Sequence, residues 1–458
     1  MGKYFGTDGI RGVAGEDLTV ELAYKLAKAA CYKLKDVDNK LIVIGKDTRI
    51  SGDMLEAALI SGITSMGFDV YRLGVIPTPA VAYLTRFYNA CCGIVISASH
   101  NPYEFNGIKY FSNEGFKLKD SLEEEIEYLI DHQDEIDLKV TGEKVGRVYE
   151  EECARDTYIN YLLSRVDLDL TGVKVSLDCG YGATSEIAPI IFNRLNADVT
   201  VTNTEYDGKN INFKCGSTNP EVISNLVRIS ESDMGFSFDG DGDRLIACDE
   251  TGEIMDGDHV ICAVGHFLKE NNKLKNNAVV GTVMTNIGLI KSLKEIGVDV
   301  IKTQVGDRYV LEEMRKNGYI IGGEQSGHII FIEDNTTGDG ILSAIKLAEI
   351  AVKSKQKLSE MNNLMTSFPQ VLVNAKVNNE YKKVYKDDEV INKKISELEH
   401  EFKDEGRVLI RPSGTEPLIR VMIEGENQEY LEKKAIELKD LIEERCELIW
   451  EQLRLFQL

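Results

Sequence analysis

The stretch MGFSFDGDGDR at residues 234–244 decides the fold of this chain and points to its chemistry. An apolar run leads into three aspartates that alternate with glycines. In an extended segment, residues two apart point to the same side, so Asp239, Asp241 and Asp243 can converge. Three neighbouring carboxylates repel each other, and a cation that prefers hard oxygen ligands, such as Mg²⁺, Mn²⁺ or Ca²⁺, removes that repulsion. The adjacent Arg244 indicates an anionic group, such as a phosphate, beside the metal ion.

A solvated acidic turn and an EF-hand are the two other interpretations of this stretch. Acidic runs are commonly solvated loops, and the sequence leaves that interpretation open. The aspartates and Glu250 fit the spacing of EF-hand ligands, but the position that requires glycine for a sharp turn holds Arg244. The flanking residues 234–238 and 245–248 have the pattern of strands rather than helices. We therefore exclude the EF-hand.

Length and composition indicate a multidomain globular protein. At about 100–200 residues per domain, a chain of 458 residues suggests roughly three or four domains. The 53 Lys and Arg residues against 76 Asp and Glu give a formal net charge of −23. This charge argues against binding to nucleic acid or to an anionic membrane, and any anionic ligand needs a local cluster of positive charge.

The nine cysteines and the N-terminal segment indicate in which cellular compartment the protein is expected. The cysteines are odd in number and show no CxxC spacing, which favours free thiols in a reducing compartment. The N-terminal segment lacks the apolar core of a secretory signal, and no apolar run approaches the ~20 residues of a membrane span. We expect a cytoplasmic protein without a membrane span.

Short apolar runs alternate with amphipathic stretches over most of the chain, which predicts α/β layers with largely parallel sheets. Residues 54–66 have helical spacing of apolar positions and are predicted to form a helix. The last ~90 residues differ, because strands at 408–410 and 418–423 and an amphipathic helix at 429–448 predict an α+β domain. The other predicted strands are 41–45, 69–75, 93–96, 173–178, 234–238, 245–248, 278–283 and 319–321.

Several units share one layout, in which a buried strand is followed by a polar loop that contains glycine. In open α/β sheets, ligands bind to such loops at the carboxyl ends of the strands. Candidate domain boundaries are the charge-rich stretch 134–151, the region near Glu250 and residues 367–369.

The loop SASHNP at residues 97–102 follows the predicted strand 93–96 and has two interpretations. Ser, Asn and Pro all favour a turn. A serine beside a histidine also suggests an active site, although sequence neighbours rarely face each other and a serine without a base is a poor nucleophile. A second turn at 106–107 returns Lys109 to the same region. The local residues leave turn and active site equally open.

The loop RPSGTEP at residues 411–417, followed by Arg420, has the composition of a phosphate site. Arginine forks and backbone N–H groups, which a glycine lets approach the ligand, are common means of holding a phosphate dianion. The alternative is a hairpin loop whose arginines pair with surface carboxylates. A local positive cluster in a chain of net charge −23 favours phosphate.

Three further loops carry weaker signals. The loop GGEQSGH at 322–328 offers donors and acceptors that suit sugar hydroxyls and an amine, although polar glycine-rich loops are common and His328 alone would more often be structural. The loop FGTDGIRG at 5–12 combines three glycines with an aspartate and an arginine, which suggests contact with a ligand. The loop VGDRY at 305–309 is similar but weaker.

Together these loops resemble those of the α-D-phosphohexomutases, from FGTDG at residues 5–9 to RPSGT at 411–415. The motifs at 96–102, 180–184 and 323–328 favour the bacterial branch that acts on an amino sugar. The resemblance implies an α/β fold of four domains around a central cleft, of which three are related α/β domains and the last is an α+β phosphate-binding domain. The implied domains are 1–150 with the phosphoserine loop, 151–250 with the metal-binding loop, 251–367 with the sugar-recognition loop and 368–458 with the phosphate-binding loop.

The resemblance also implies a role for each motif. Ser99 matches the serine that carries a phosphoryl group. The ligands implied for one Mg²⁺ per subunit are Ser99, Asp239, Asp241 and Asp243. The residues implied around the transferring phosphoryl group are Arg11, His100, Lys109 and Arg244. The residues implied in substrate binding are Gly323, Glu324, Ser326 and His328 at the sugar, and Arg411, Ser413, Gly414, Thr415 and Arg420 at the non-reacting phosphate.

The implied reaction interconverts glucosamine 6-phosphate and glucosamine 1-phosphate. The phosphoserine transfers its phosphoryl group to O1, which forms a 1,6-bisphosphate. This intermediate reorients and transfers its 6-phosphoryl group to Ser99. A hexose 1,6-bisphosphate would thus be both intermediate and activator. Such a transfer depends on positioning and charge stabilisation, and Lys109 and His100 are both candidates for the general acid or base.

The same resemblance bears on pathway and partners. The product would feed the synthesis of UDP-N-acetylglucosamine and of cell-wall precursors. The expected partner is a small-molecule sugar phosphate, and we expect a monomer or homodimer.

Three other functions remain open. A mutase for glucose or mannose phosphates would use the same loops, and only residues 324–326 argue for the amino sugar. An aspartyl-nucleophile phosphatase would use Asp239 and Asp241 and would be phosphorylated on Asp239 instead of Ser99. A non-catalytic protein that binds sugar phosphates would be expected to lack Ser99 or the aspartates, and all are present.

Overall fold

A computed structural model of the chain describes residues 3–6, 8–378, 382, 384–402, 405–413 and 417–456. The chain divides into two compact units. Within the described ranges, no helix combines the length and the apolar character needed to cross a membrane. The first unit is Met1–Thr285 with Leu293–Leu364, and the second is Asn286–Ser292 with Met365–Leu458.

The first sheet has seven strands. Its strands are β1 (Phe5–Gly6), β2 (Gly9–Val13), β3 (Leu41–Lys46), β4 (Asp69–Val75), β5 (Cys92–Ile96), β6 (Phe105–Ser112) and β7 (Val148–Glu150). The helices of this region are α1 (Val20–Lys33), α2 (Gly52–Ser65), α3 (Thr78–Phe87) and α4 (Asp120–Asp131). The order is β1-β2-β6-β5-β3-β4-β7, with β5, β3, β4 and β7 parallel. The central strands β3 and β5 are buried along their whole length, as expected for parallel strands covered on both faces.

The second sheet has five strands in the order β12-β11-β10-β8-β9. Its strands are β8 (Lys174–Asp178), β9 (Asp198–Thr202), β10 (Met234–Phe238), β11 (Leu245–Asp249) and β12 (Ile254–Met255). The helices are α5 (Ala154–Leu163), α6 (Ile187–Arg194) and α7 (Glu221–Ser230). Strands β10, β8 and β9 are parallel, and β11 returns antiparallel to β10.

The third sheet has four strands in the order β14-β13-β15-β16. Its strands are β13 (Ala278–Thr282), β14 (Asp299–Thr303), β15 (Ile321–Gly323) and β16 (Ile329–Phe331). The helices of this region are α8 (Gly257–Glu270), α9 (Ile287–Glu295), α10 (Asp307–Asn317), α11 (Gly340–Ser354) and α12 (Leu358–Asn362). Again the last strand, β16, pairs antiparallel with its predecessor.

The second unit contains a three-stranded antiparallel sheet with two helices, the α+β composition that the sequence predicts. Its elements are β17 (Gln370–Lys376), α13 (Glu389–Phe402), β18 (Arg407–Pro412), β19 (Leu418–Glu424) and α14 (Gln428–Phe456). The apolar positions predicted for the last helix, including Leu431, Ala435 and Leu438, lie in the core of this unit.

The sequence-based prediction of largely parallel sheets is wrong in one respect. Each of the first three sheets is mixed, because β5, β10 and β15 are each followed after a short loop by an antiparallel strand, and a short loop can join only antiparallel neighbours. The strand predicted at 319–321 is also displaced to Ile321–Gly323. Residues 319–320 of the predicted strand instead follow the end of α10. Gly318 has a left-handed backbone there, and the N–H groups of Gly318 and Tyr319 both donate to the carbonyl of Met314.

All nine cysteines lie within the described residues and are free thiols, and eight of them are buried. The prediction of unpaired cysteines is therefore confirmed.

Candidate active site

Three loops of the first unit share one construction. Residues 97–104 lie between β5 and β6, residues 239–244 between β10 and β11, and residues 324–328 between β15 and β16. Each loop leaves the carboxyl end of a strand that has a parallel neighbour, which is where ligands bind in open α/β sheets. The structure brings the side chains of these loops together, as the following contacts show.

Ser99 lies in a strained position at the centre of the first loop. Its φ of +52° is left-handed, which costs a non-glycine residue roughly 1–2 kcal/mol. The Ser99 hydroxyl donates to Asp239 Oδ2 at 2.6 Å, and its Oγ lies 3.3 Å from Nδ1 of His100. The Ser99 side chain thus connects the first loop to the aspartates of the second.

Asp239, Asp241 and Asp243 converge, as predicted, but for a different reason. They lie in a turn rather than in an extended segment: the N–H of Gly242, which has a φ of +69°, donates to the carbonyl of Asp239. One carboxylate oxygen of each aspartate lies within 4.8 Å of the others, and all three residues are buried.

The charges of these aspartates conflict with one another. Burial and the neighbouring carboxylates raise the pKa of Asp239 far above its ordinary value, and they also raise that of Asp243. The Oδ1 atoms of Asp241 and Asp243 are buried without a hydrogen-bond partner. Buried, converging and under-coordinated carboxylate oxygens fit a hard divalent cation such as Mg²⁺.

Lys109, from β6, is the main cation at the aspartates. Its Nζ lies 2.8 Å from Asp241 Oδ2, 3.0 Å from Asp8 Oδ2 and 3.7 Å from Asp243 Oδ2. Burial alone would lower the pKa of Lys109, but these carboxylates raise it above its ordinary value. Lys109 in turn holds the pKa of Asp241 below its ordinary range despite burial.

The other residues predicted around the phosphoryl group also lie here. Arg11 donates to Asp8. The N–H of Arg244 donates to Asp239 Oδ1 at 3.1 Å, and Nε of Arg244 lies 3.8 Å from Asp243 Oδ1. Burial, together with the charges of Arg244 and Arg11, lowers the pKa of His100 to about 4. The His100 imidazole is therefore neutral near pH 7, and the same shift makes it a weak base.

The third loop reaches the same carboxylates through His328. Nε2 of this buried histidine lies 3.9 Å from Asp243 Oδ2 and 3.5 Å from Asp307 Oδ2. Glu324 accepts the N–H of Gly306 at 2.9 Å, and its own N–H donates to the carbonyl of His328. The other two predicted residues of this loop differ in burial, since Gly323 is buried in β15 and Ser326 is exposed.

The predicted phosphate loop belongs to the second unit. Arg411 on β18 pairs across the sheet with Arg420 on β19, and directly opposed like charges concentrate positive charge. The N–H of Ser413 donates to the carbonyl of Leu418, and the Lys382 amine donates to the carbonyl of Ser413 at 2.8 Å. Gly414 and Thr415 lie outside the described residues.

Family models match almost the whole chain. They are described as Phosphoglucomutase/phosphomannomutase, alpha/beta/alpha domain I over residues 2–137, domain II over 156–252, domain III over 256–368, and C-terminal domain over 372–441. A curated relative from Finegoldia magna, named "Phosphoglucosamine mutase", is 99% identical over 449 residues, which are 98% of this chain and 100% of the relative. The chain belongs to the phosphohexomutase superfamily. The phosphohexomutase architecture of four domains, expected from the sequence, is confirmed.

Solved structures share this phosphohexomutase fold. A phosphoglucomutase/phosphomannomutase family protein from Burkholderia thailandensis has a TM-score of 0.79 at 22% identity, over 95% of this chain and 97% of that one. The Aspergillus fumigatus N-acetylphosphoglucosamine mutase, in complex with GlcNAc-6P and magnesium, has a TM-score of 0.68 at 16% identity, over 96% of each chain. A variant of that enzyme, with glucose 1,6-bisphosphate, has a TM-score of 0.66 at 17% identity, over 96% of this chain and 95% of that one.

Sequence reasoning missed several polar residues that the phosphohexomutase fold gathers at this site. Lys117 bridges Asp8 and Asp307, and Thr78 donates to Asp241 Oδ2 at 2.6 Å. Asp47 and Arg49 hold the loop that carries Ser99. A usable signal did exist for this last pair, because Asp47 and Arg49 follow the buried strand β3 in the strand-then-polar-loop layout of the other motifs.

Proposed function

We propose that the chain is a mutase that interconverts glucosamine 6-phosphate and glucosamine 1-phosphate through a phosphorylated Ser99. The observation that carries the proposal is the contact of Ser99 with Asp239, at 2.6 Å, beside a buried carboxylate triad and Lys109. The near-identity of the chain to a relative named phosphoglucosamine mutase supports the choice of substrate.

One Mg²⁺ per subunit would be held by Ser99 and the three aspartates of residues 239–243. The fit rests on the buried, under-coordinated oxygens of Asp241 and Asp243 and on the mutual repulsion of the carboxylates. When bound, the ion supplies positive charge that offsets the charge of the aspartates and of the phosphoryl group. Magnesium in a complex of the related fungal enzyme supports this assignment, and glucose 1,6-bisphosphate in another complex supports a hexose 1,6-bisphosphate as intermediate and activator.

In the transfer step, the bond between phosphorus and Ser99 Oγ breaks while a bond forms from phosphorus to O1 of the sugar. The O1 hydroxyl must lose its proton in this step and the released Ser99 oxygen must gain one, and His100, whose Nδ1 lies 3.3 Å from Ser99 Oγ, can pass the proton from one to the other. His100 is the better acceptor, since its lowered pKa keeps its imidazole neutral, whereas the raised pKa of Lys109 keeps it an ammonium ion. Lys109, Arg11 and Arg244 then act as fixed positive charges around the phosphoryl oxygens.

The 1,6-bisphosphate formed in this step reorients, and its 6-phosphoryl group is transferred to Ser99. A hexose 1,6-bisphosphate can therefore also activate an unphosphorylated chain.

The substrate requires contacts to the sugar and to the phosphate that does not react. Glu324 and Ser326 would accept and donate hydrogen bonds to ring hydroxyls and the amine, with Gly323 and His328 shaping the loop. The paired arginines of β18 and β19 support a role in binding the distal phosphate dianion. The residues proposed for that phosphate are Arg411, Ser413, Gly414, Thr415 and Arg420.

The proposal extends to domains and cellular context. The product would supply UDP-N-acetylglucosamine and cell-wall precursor synthesis in the cytoplasm, and the net charge of −23 is consistent with no nucleic-acid or membrane partner. We propose a monomer or homodimer. The proposed domains are 1–150, 151–250, 251–367 and 368–458.

A mutase for glucose or mannose phosphates is the second candidate, because the matching family models are described by those two activities. The deciding experiment measures kcat/KM for the 6-phosphates of glucosamine, glucose and mannose, with Mg²⁺ and glucose 1,6-bisphosphate. We expect a preference of about 100-fold for the amino sugar, which is ~2.7 kcal/mol of transition-state discrimination. Equal or higher values for glucose or mannose would overturn the choice of substrate and leave the mutase chemistry in place.

A further inference from the structure

Arg49, in the connection from β3 to α2, is completely buried and holds the backbone of the Ser99 loop. Its guanidinium donates to the carbonyl oxygens of Ser99 and Asn101, both at 2.8 Å, and of Phe105 at 3.0 Å. It also donates to the carbonyl of Pro102. One rigid fork of donors thus fixes four carbonyl groups within seven residues of chain.

Asp47 holds the peptide group on the N-terminal side of Ser99. Its Oδ2 accepts Nε–H of Arg49 at 2.9 Å and the hydroxyl of Ser97 at 2.6 Å. Oγ of Ser97 in turn accepts the N–H of Ser99 at 2.9 Å. The N–H of Ser99 is therefore held through Ser97, and its C=O is held directly by Arg49.

Asn212, from the second sheet's region, donates to two of these carbonyls. Its amide Nδ2 lies 2.9 Å from the oxygen of Ser99 and 3.2 Å from that of Asn101. A Cβ atom on Gly240 would lie 2.6 Å from the same Ser99 oxygen. The carbonyl of Ser99 is therefore packed against the turn that carries the aspartates, and a shift of this carbonyl would move Ser99 relative to Asp239.

We propose that the Asp47–Arg49 ion pair, assisted by Asn212, is a positioning device that fixes the left-handed backbone of Ser99 for phosphoryl transfer. The inference rests on the proposed function of Ser99 as phosphoryl carrier. These residues act through the peptide groups on either side of Ser99. Because transfer requires close alignment, a misplacement of about 1 Å can cost about 100-fold in rate.

The test compares Arg49→Lys, which keeps the charge and loses the planar fork, with Arg72→Lys as matched control. Arg72 is also ion-paired, to Glu56 and Glu150, and among the described residues no hydrogen bond or ion pair of its side chain reaches the loops that carry Ser99, the aspartates or Glu324. We expect Arg49→Lys to lower kcat about 100-fold with KM within about threefold, and Arg72→Lys to leave both near wild type. Adding Asn212→Ala should lower kcat by less than the product of the single effects, because both side chains hold the same carbonyls.

Hydrogen exchange gives a readout that does not depend on turnover. Deuterium uptake of the peptide that contains Ser99 should rise at least about tenfold in rate in Arg49→Lys and remain unchanged in Arg72→Lys. Folded Arg49→Lys with wild-type uptake, or with kcat within threefold of wild type, would overturn the inference. If Arg49→Lys does not fold, Asn212→Ala decides, with an expected loss of about tenfold in kcat at constant KM; an unchanged kcat would overturn the inference. A wild-type chain inactive on every hexose phosphate would instead refute the proposed function, while the exchange comparison still tests the positioning role.

Discussion

Replacing Lys109 by methionine removes one charge from the centre of the site and keeps the length of the side chain. The Lys109 side chain is 1% exposed and has three carboxylate oxygens within 3.7 Å. Two unit charges ~3 Å apart attract each other by about 5 kcal/mol at an effective dielectric constant of about 20. Desolvation of the buried charges offsets most of this attraction, and breaking a buried ion pair costs about 3–5 kcal/mol. We expect the free energy of unfolding in EDTA to fall by that amount.

Urea unfolding followed by circular dichroism, in EDTA and again in saturating Mg²⁺, measures this loss. The loss should be smaller with Mg²⁺, because a bound cation compensates part of the buried negative charge that Lys109 no longer pairs. Lys353→Met is the control: Lys353 pairs with Glu349 on the surface of α11, and we expect a change within about 0.5 kcal/mol. A loss below about 1 kcal/mol for Lys109→Met in EDTA, or equal losses in both conditions, would refute the electrostatic reasoning.

Two further predictions concern distal phosphate binding and pH. Arg411→Ala should raise KM for the sugar phosphate about 10–100-fold, because a charge-assisted hydrogen bond is lost, and the Mg²⁺ dependence of the rate should stay unchanged. Arg445→Ala is the control, since it removes an arginine of the same unit that pairs with Asp388, and it should leave KM unchanged. An unaltered KM in Arg411→Ala would contradict the phosphate assignment. Burial raises the pKa of Asp339, the N-cap of α11, to about 6. The protonated Asp339 carboxyl therefore stabilises the folded protein at low pH, and this stabilisation is lost as the pH rises through 6. The free energy of unfolding of the wild type should fall by about 1 kcal/mol between about pH 5 and 7 because of Asp339, and Asp339→Asn should lack this contribution. Equal pH dependence of the two proteins would contradict the prediction.

Much of the site could be predicted because its chemistry is local in sequence. The DGDGDR turn places three carboxylates within six residues, directly after a buried strand, and the loops that contain Ser99 and Glu324 have the same layout. Residue type and position after a strand predicted a metal site at the aspartates, but they left the Ser99 loop open between turn and active site and gave only a weak signal for the Glu324 loop. The resemblance to the α-D-phosphohexomutases supplied the roles of these two loops. The convergence of the aspartates was predicted correctly, but from an extended backbone, where the structure has a glycine-dependent turn.

The supporting contacts could not be predicted because sheet order, not sequence proximity, creates them. Strand β3 lies between β4 and β5, so the loop that follows β3 meets the loop after β5. Arg49 therefore contacts a carbonyl 50 residues away, and Lys117 joins Asp8 to Asp307. A local pattern contains no information on such pairings, and each of these residues alone resembles an ordinary surface charge.

The most direct measurement is the location of the phosphoryl group after incubation with Mg²⁺ and isotope-labelled glucose 1,6-bisphosphate. Peptide mass spectrometry should find the label on Ser99, and a chase with glucosamine 6-phosphate should transfer it to the sugar at a rate compatible with turnover. Ser99→Ala should take up no label while remaining folded. Label on Asp239, or label on Ser99 that the sugar phosphate does not remove, would contradict a phosphoserine mechanism.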